Sequence, residues 1–179
     1  MTLRQNLLER LSGNEQINDI NQWLMRKRIL MCKIRKGTSF DKSQIEKIAS
    51  KAYKKYVDLI GKKPAPMVAD FLKHLNEDYV FVIEDTDNSQ IIGYAVIVLK
   101  NNEYWLENIA VCPTKTKQGF GTQLIRNVED FVSKSASTIQ LYTNVKMYEN
   151  IDWYKRIGYS EFKRKTVDGF ERVYFIKEL

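Results

Sequence analysis

A single histidine, His74, in 179 residues leaves no room for a histidine-rich metal site and makes a Ser-His or Cys-His catalytic pair a poor expectation. Two cysteines, Cys32 and Cys112, give neither a disulfide framework nor a metal-ligand spacing, so no metal is expected. Three prolines and eight glycines are too few for a long disordered linker. No apolar run approaches the roughly 20 residues a membrane span needs. No signal-peptide core opens the sequence. The expectation is a cytoplasmic protein without a membrane partner.

What is present is ordinary for a globular domain: 44% hydrophobic and 28% charged residues, in a length suited to one core. The formal net charge of +7 favours anionic partners. Its distribution is uneven. Arg26 to Lys36 holds six basic residues and no acid, whereas 76–110 holds seven acids against Lys100. An acidic middle without a basic, aromatic-studded module argues against nucleic acid.

Residues 1–30 read as a polar helical extension, with Leu3, Leu7, Leu8 and Leu11 on one face. "MCKIRK" alternates as a short strand. From Ser39 to Gly61 an amphipathic helix is expected, followed by the loop "KKPAP" and a short helix over "MVADFLKHLN". The runs "YVFVIED", "IIGYAVIVLK" and "YWLENIAVC", joined by polar turns, predict an antiparallel meander. A helix from Gly119, the strand "TIQLYT", a helix over "YENIDWYKRIG" and a hairpin across "VDG" complete the pattern. The order αα-β-αα-βββ-α-β-α-ββ predicts an α/β domain on a mixed sheet.

The loop "CPTKTKQGFGTQLI" places two glycines and two lysines where a strand gives way to a helix. Amides at a helix start lack partners and carry the positive end of the dipole, so they suit a phosphate. Gly119 and Gly121 lack Cβ atoms and admit a ligand to the backbone. No Gly-Lys-Ser/Thr ends the loop, and Gly-x-Gly-x-x-Gly is absent, so neither a P-loop nor a dinucleotide fingerprint applies.

This loop, preceded by "LENIAVCP" and followed by "LYTNVKMYENIDWYKRIGY", resembles the GNAT superfamily of acetyl-CoA-dependent N-acetyltransferases. Asn150, Tyr154, Gly158 and Tyr159 match its second motif; Thr116 stands where the first usually has Gln or Arg. The resemblance covers about 31–179 and leaves 1–30 as an extension packed on the domain or on a second subunit, which is compatible with a homodimer; Met31 is an alternative start. It implies the family's fold: a mostly antiparallel sheet with flanking helices and one splayed parallel pair. It implies acetyl-CoA as co-substrate. Backbone groups of Ile109 and Val111 would bond the pantetheine arm, the amides of Lys117, Gln118, Gly119, Phe120, Gly121 and Thr122 the pyrophosphate, and Asn150 the cofactor by its amide.

Acetyl transfer needs a neutral amine, a donor for the oxyanion and a proton for the departing thiolate. The resemblance gives the acid role to Tyr154, which as a bare pattern is equally a core aromatic. Glu107 on the neighbouring strand is the candidate base, with Glu84 the second choice; either also suits a solvated strand position. The oxyanion donor would be a backbone N–H near Val111. Tyr53, Tyr56 and Met67 are candidates for the acceptor wall, although packing explains the tyrosines as well. Cys112 reads as a small buried hydrophobe and His74 as a helix residue between core and solvent. The acceptor is a small-molecule, peptide or protein amine, with a cationic one hinted at by the acidic middle. The alternative is a non-catalytic acyl-CoA-binding sensor or scaffold on the same fold.

Overall fold

The structure, a computed structural model, describes residues 31–179. The extension expected over residues 1–30, with its alternative-start and dimer readings, lies outside them. Seven strands form one sheet: β1 (Cys32–Lys36), β2 (Tyr79–Asp85), β3 (Ile91–Lys100), β4 (Glu103–Val111), β5 (Thr138–Asn144), β6 (Ser160–Val167) and β7 (Phe170–Glu178). Their order is β1-β2-β3-β4-β5-β7-β6. Every neighbouring pair is antiparallel except β4 and β5, which run parallel. The mixed, mostly antiparallel α/β fold is as expected.

Helices cover both faces. The first is α1 (Lys42–Tyr53), continued by a 3-10 turn at Lys54–Tyr56 and the single-turn α2 (Val57–Ile60). Then come α3 (Phe71–Glu77), α4 (Phe120–Val132) and α5 (Tyr148–Arg156). One core cluster joins Ala95 and Ile97 of β3 to Leu124, Ile125, Val128 and Val132 of α4 and to Ile151 and Tyr154 of α5. The other joins Tyr94 and Val96, the alternate residues of β3, to Ile45, Ile48 and Ala49 of α1 and Phe71 of α3. Strand β3 is thus covered on both faces, which is why "IIGYAVI" reads as an unbroken apolar run.

Two helices begin or break differently from the periodic pattern. The expected single helix over 39–61 tightens at residues 54–56. A 3-10 turn eclipses side chains three apart, and it brings Tyr53 and Tyr56 onto one buried face with ring centroids 6.4 Å apart. The second helix starts at Phe71 rather than Met67, because the Asp70 carboxylate accepts from the Lys73 amide at 3.1 Å and caps it there. Gly93 on β3 is required by close approach: a Cβ there would sit 2.7 Å from the Ala110 carbonyl oxygen.

At the β1 edge, Arg35 binds Asp41 through two nitrogens at 2.8 and 2.9 Å and also donates to Glu84. Both carboxylates are buried. This cluster ties β1 and β2 to the start of α1. It also settles the place of Glu84: the second-choice base is a structural ion-pair partner, and it does not line the cavity described below.

Candidate active site

Strands β4 and β5 pair only at Trp105 with Gln140 and Leu106 with Leu141, then part. The Cys112 amide donates to Ile92 of β3 at 2.7 Å, so by strand alternation Ala110 and Asn108 also direct their backbone groups to β3. Ile109 and Val111 direct theirs the other way, into the gap. Splaying therefore leaves an unpaired strand edge along one wall of a cleft. The Ile109 carbonyl accepts from the Tyr53 hydroxyl at 3.0 Å.

Glu107 falls at a bulge, where β3 residues Val96 and Ile97 face Asn108 and Leu106. A bulge turns one side chain out of alternation. Here it directs the Glu107 carboxylate toward Tyr142, the β5 residue after Leu141, whose hydroxyl donates to it. Lys100 donates to the other carboxylate oxygen at 2.9 Å. Burial works to raise the Glu107 carboxyl, but Lys100 and Tyr142 outweigh it and hold the group below the ordinary carboxylate range. Burial, and then the Glu107 charge, push the Tyr142 phenol up. The Arg172 guanidinium of β7 stacks 4.3 Å from the centre of the Tyr142 ring.

Glu107, Tyr142 and Arg172 line a cavity of about 110 Å³ that also includes Tyr53, Asn108, Ile109, Asn150 and Tyr154. Tyr154 is 5% exposed and packs against Trp153, Tyr159 and Phe175. Burial raises its phenol well above the ordinary value, so it holds its proton. Asn108 is buried and accepts at its side-chain oxygen from Tyr53 at 3.0 Å and Tyr94 at 3.2 Å. The Asn150 amide donates to the Met147 sulfur at 3.5 Å. His74 reaches the cavity from α3, its Nδ1 held by Asp78 at 2.8 Å. Because the carboxylate accepts, Nδ1 is the donor, and in the neutral ring Nε2 is then the acceptor.

At the outer end of the gap, residues 112–119 turn back into α4. Gly119 takes a left-handed φ of 86° and Lys117 one of 59°. The first helical hydrogen bond is Gln123 to Gly119, at 3.0 Å. The amides of Phe120, Gly121 and Thr122 precede it and point out of the helix start. The Phe120 side chain itself is core. Gly121 lies between the strand and α5: a Cβ there would be 3.7 Å from Trp153 and 3.9 Å from Val111. The unpaired edge thus runs from Ile109, which lines the cavity, to Val111, which faces Gly121 at the helix start.

Residues 76–161 match the family model described as the acetyltransferase (GNAT) domain. That stretch is similar to the GNAT domain. Solved structures share the fold of this domain. The ribosomal-protein-S18-alanine N-acetyltransferase from Escherichia coli is 19% identical with a TM-score of 0.66, over 83% of this chain and 94% of that one. The PaiA N-acetyltransferase from Thermoplasma acidophilum, solved with coenzyme A, is 18% identical with a TM-score of 0.65, over 83% of this chain and 99% of that one. No curated protein gives a significant match.

The fold gathers Tyr53, Glu107, Ile109, Asn150 and Tyr154 around one cavity. Val111 and Gly121 lie outside that lining and face each other, the Gly121 Cβ position being 3.9 Å from Val111. Gln118 lies on the loop, its amide 3.4 Å from the Thr114 carbonyl. Thr116, where the family usually has Gln or Arg, bonds the Pro113 carbonyl at 3.0 Å. Tyr56 and Met67 lie outside the cavity lining. Tyr56 is buried with its hydroxyl 3.5 Å from Glu149, and the wall on that side is built instead by Ile60, Pro64, Ala65, Pro66 and Ala69. Sequence reasoning missed Asn108, Tyr142 and Arg172 and read His74 as bland. For Asn108 a signal existed, a lone amide inside an apolar strand. For Tyr142 and Arg172 there was none, because only the β5–β7 register brings them together.

Proposed function

We propose that the protein is an acetyl-CoA-dependent N-acetyltransferase that passes acetyl to a primary amine by direct attack. The observation carrying this reading is the unpaired edge at Ile109 and Val111, leading from the bare start of α4 to the buried Tyr154 hydroxyl. Acetyl-CoA, when bound, supplies an activated acyl carbon and a thiol leaving group. The residues present fit it. The Ile109 and Val111 backbone groups suit the amide-rich arm, and the amides from Lys117 to Thr122 suit the pyrophosphate, with space above Gly121 that any Cβ would fill. Asn150 lies along the same path.

Transfer forms a C–N bond and breaks a C–S bond; a bound ammonium loses one proton before attack and a second from the tetrahedral adduct, sulfur gains one, and one is released to solvent. Tyr154, kept protonated by burial, donates to sulfur. The Val111 amide serves the oxyanion. Glu107 was the expected base, yet both its oxygens are engaged and its proton affinity is low. Its role in this reading is to attract the ammonium form, and His74, oriented by Asp78, takes the proton.

The test is acetyl-CoA turnover against a panel of amines and peptides, with Tyr154→Phe as the comparison. The expected result is amine-dependent release of coenzyme A that falls on the order of 10²-fold in the variant while cofactor affinity stays. Tight acetyl-CoA binding with no acceptor turned over would replace this reading with the non-catalytic sensor.

A further inference from the structure

The reading above leaves the amine unnamed, and Arg172 narrows it. Its side chain is only 15% exposed. Among the described residues its guanidinium makes no hydrogen bond. The carboxylate that approaches it, Asp168, stands 3.9 Å away and is itself 83% exposed. The contact that covers it is the face of Tyr142, which stabilises a cation but uses none of its five N–H donors. A guanidinium whose stem is covered while its donors stay unused at the cavity is placed to take an anion. Its planar fork matches a carboxylate through two parallel bonds.

The opposite charge lies across the same ring. Tyr142 turns its face to Arg172 and its hydroxyl to Glu107. Strand register fixes this row: Leu106 pairs with Leu141, placing Glu107 beside Tyr142, and Tyr142 pairs with Tyr174, placing Arg172 diagonally next to it. One wall of the cavity thus presents a cation and a carboxylate separated by a phenol.

Resting on the acetyltransferase reading, we infer that the acceptor is a zwitterionic amino carboxylate, bound by its carboxylate on Arg172 with its amine toward Glu107 and His74. A diamine or polyamine lacks the anion and brings a second cation against Arg172. This departs from the cationic acceptor hinted at by the acidic middle of the chain. A small aliphatic or aromatic body suits the apolar side formed by Ile60, Pro64 and Phe170. An amine bearing a phosphate shares the anionic chemistry, so the two anions are separated by test.

The experiment compares four matched acceptors with the full chain and acetyl-CoA: an amino carboxylate, its carboxamide, an amino phosphate of the same length and a diamine. The amino carboxylate is expected to exceed its carboxamide at least about tenfold in kcat/KM, mainly through KM. Arg172→Gln should abolish that preference and Arg172→Lys restore part of it, while Arg164→Gln on exposed β6 leaves it intact. Equal or better use of the carboxamide or diamine by the wild type overturns the inference while leaving acetyl transfer standing. Preference for the phosphate overturns the carboxylate assignment. If no amine is turned over, the acetyltransferase reading fails, and calorimetric binding of the same four compounds still decides: amino carboxylate binding lost in Arg172→Gln upholds the site, and no binding overturns it. Should Arg172→Gln not fold, the wild-type ratio and the Arg172→Lys variant carry the test.

Discussion

A phenol packed among Trp153, Tyr159 and Phe175 keeps its proton because the interior penalises the phenolate. Tyr154→Phe removes only the oxygen, so thermal stability should hold while kcat falls on the order of 10²-fold. Glu107 and His74 divide differently. Lys100 and Tyr142 occupy the Glu107 oxygens, so Glu107→Gln should raise KM for the amine more than it lowers kcat. His74→Gln should lower kcat, by about 10²-fold; steady-state kinetics on both variants checks the split, and the reverse pattern would return the base role to Glu107. Gly121 gives a sharper residue-level test. A methyl there meets Trp153 at an ordinary 3.7 Å, and alanine favours a helix over glycine by about 1 kcal/mol. Gly121→Ala should therefore leave the melting temperature unchanged or raised, yet weaken acetyl-CoA at least about tenfold, as read by calorimetry.

Among the elements, the junction of β1, β2 and α1 rests on Arg35 between two buried carboxylates. The Arg35 hydrogen bonds hold both Asp41 and Glu84 below the ordinary carboxylate range against the opposing pull of burial. Their folded values lie below their unfolded ones, so this stabilisation is complete above the unfolded value near pH 4 and is lost as pH falls through the lower folded values. Arg35→Gln should destabilise by about 3 kcal/mol at neutral pH, because it strands the buried Asp41 and leaves the buried Glu84 with Lys33 alone. The variant should then regain ground against wild type on acidification below about pH 4, as those carboxyls protonate; urea unfolding from neutral pH down to about pH 2 reads both effects. The same junction shows what a sequence discloses. Strand positions were legible because apolar runs and polar turns alternate, and α4 because its apolar face repeats every turn. The 3-10 tightening at Lys54–Tyr56 was not, since it answers to where Tyr53 and Tyr56 must be buried. Nor was the bulge at Glu107, which depends on β3 as much as on β4. The motif-borne residues Asn150 and Tyr154 were legible as a pair because one helical turn carries both. Tyr142 and Arg172 lie thirty residues apart and meet only through sheet register.

At the scale of the whole molecule, one sheet covered on both faces opens where its single parallel pair parts, and the loop into α4 stands at that opening. Among the described residues no helix is long and apolar enough to cross a membrane, and no group of three or more His, Cys, Asp or Glu side chains could hold a metal ion. Everything proposed for catalysis depends on the opening holding acetyl-CoA, including a helix start in which Thr116 bonds its own loop. The most direct measurement is thermal unfolding of the full chain with acetyl-CoA, with ATP as the polyanion control. At one hundred times its Kd a ligand adds about 2.7 kcal/mol, a rise of about 5–10 °C for a domain of this size. The account predicts that rise with acetyl-CoA and little with ATP; no rise with acetyl-CoA, or an equal rise with both, would contradict it.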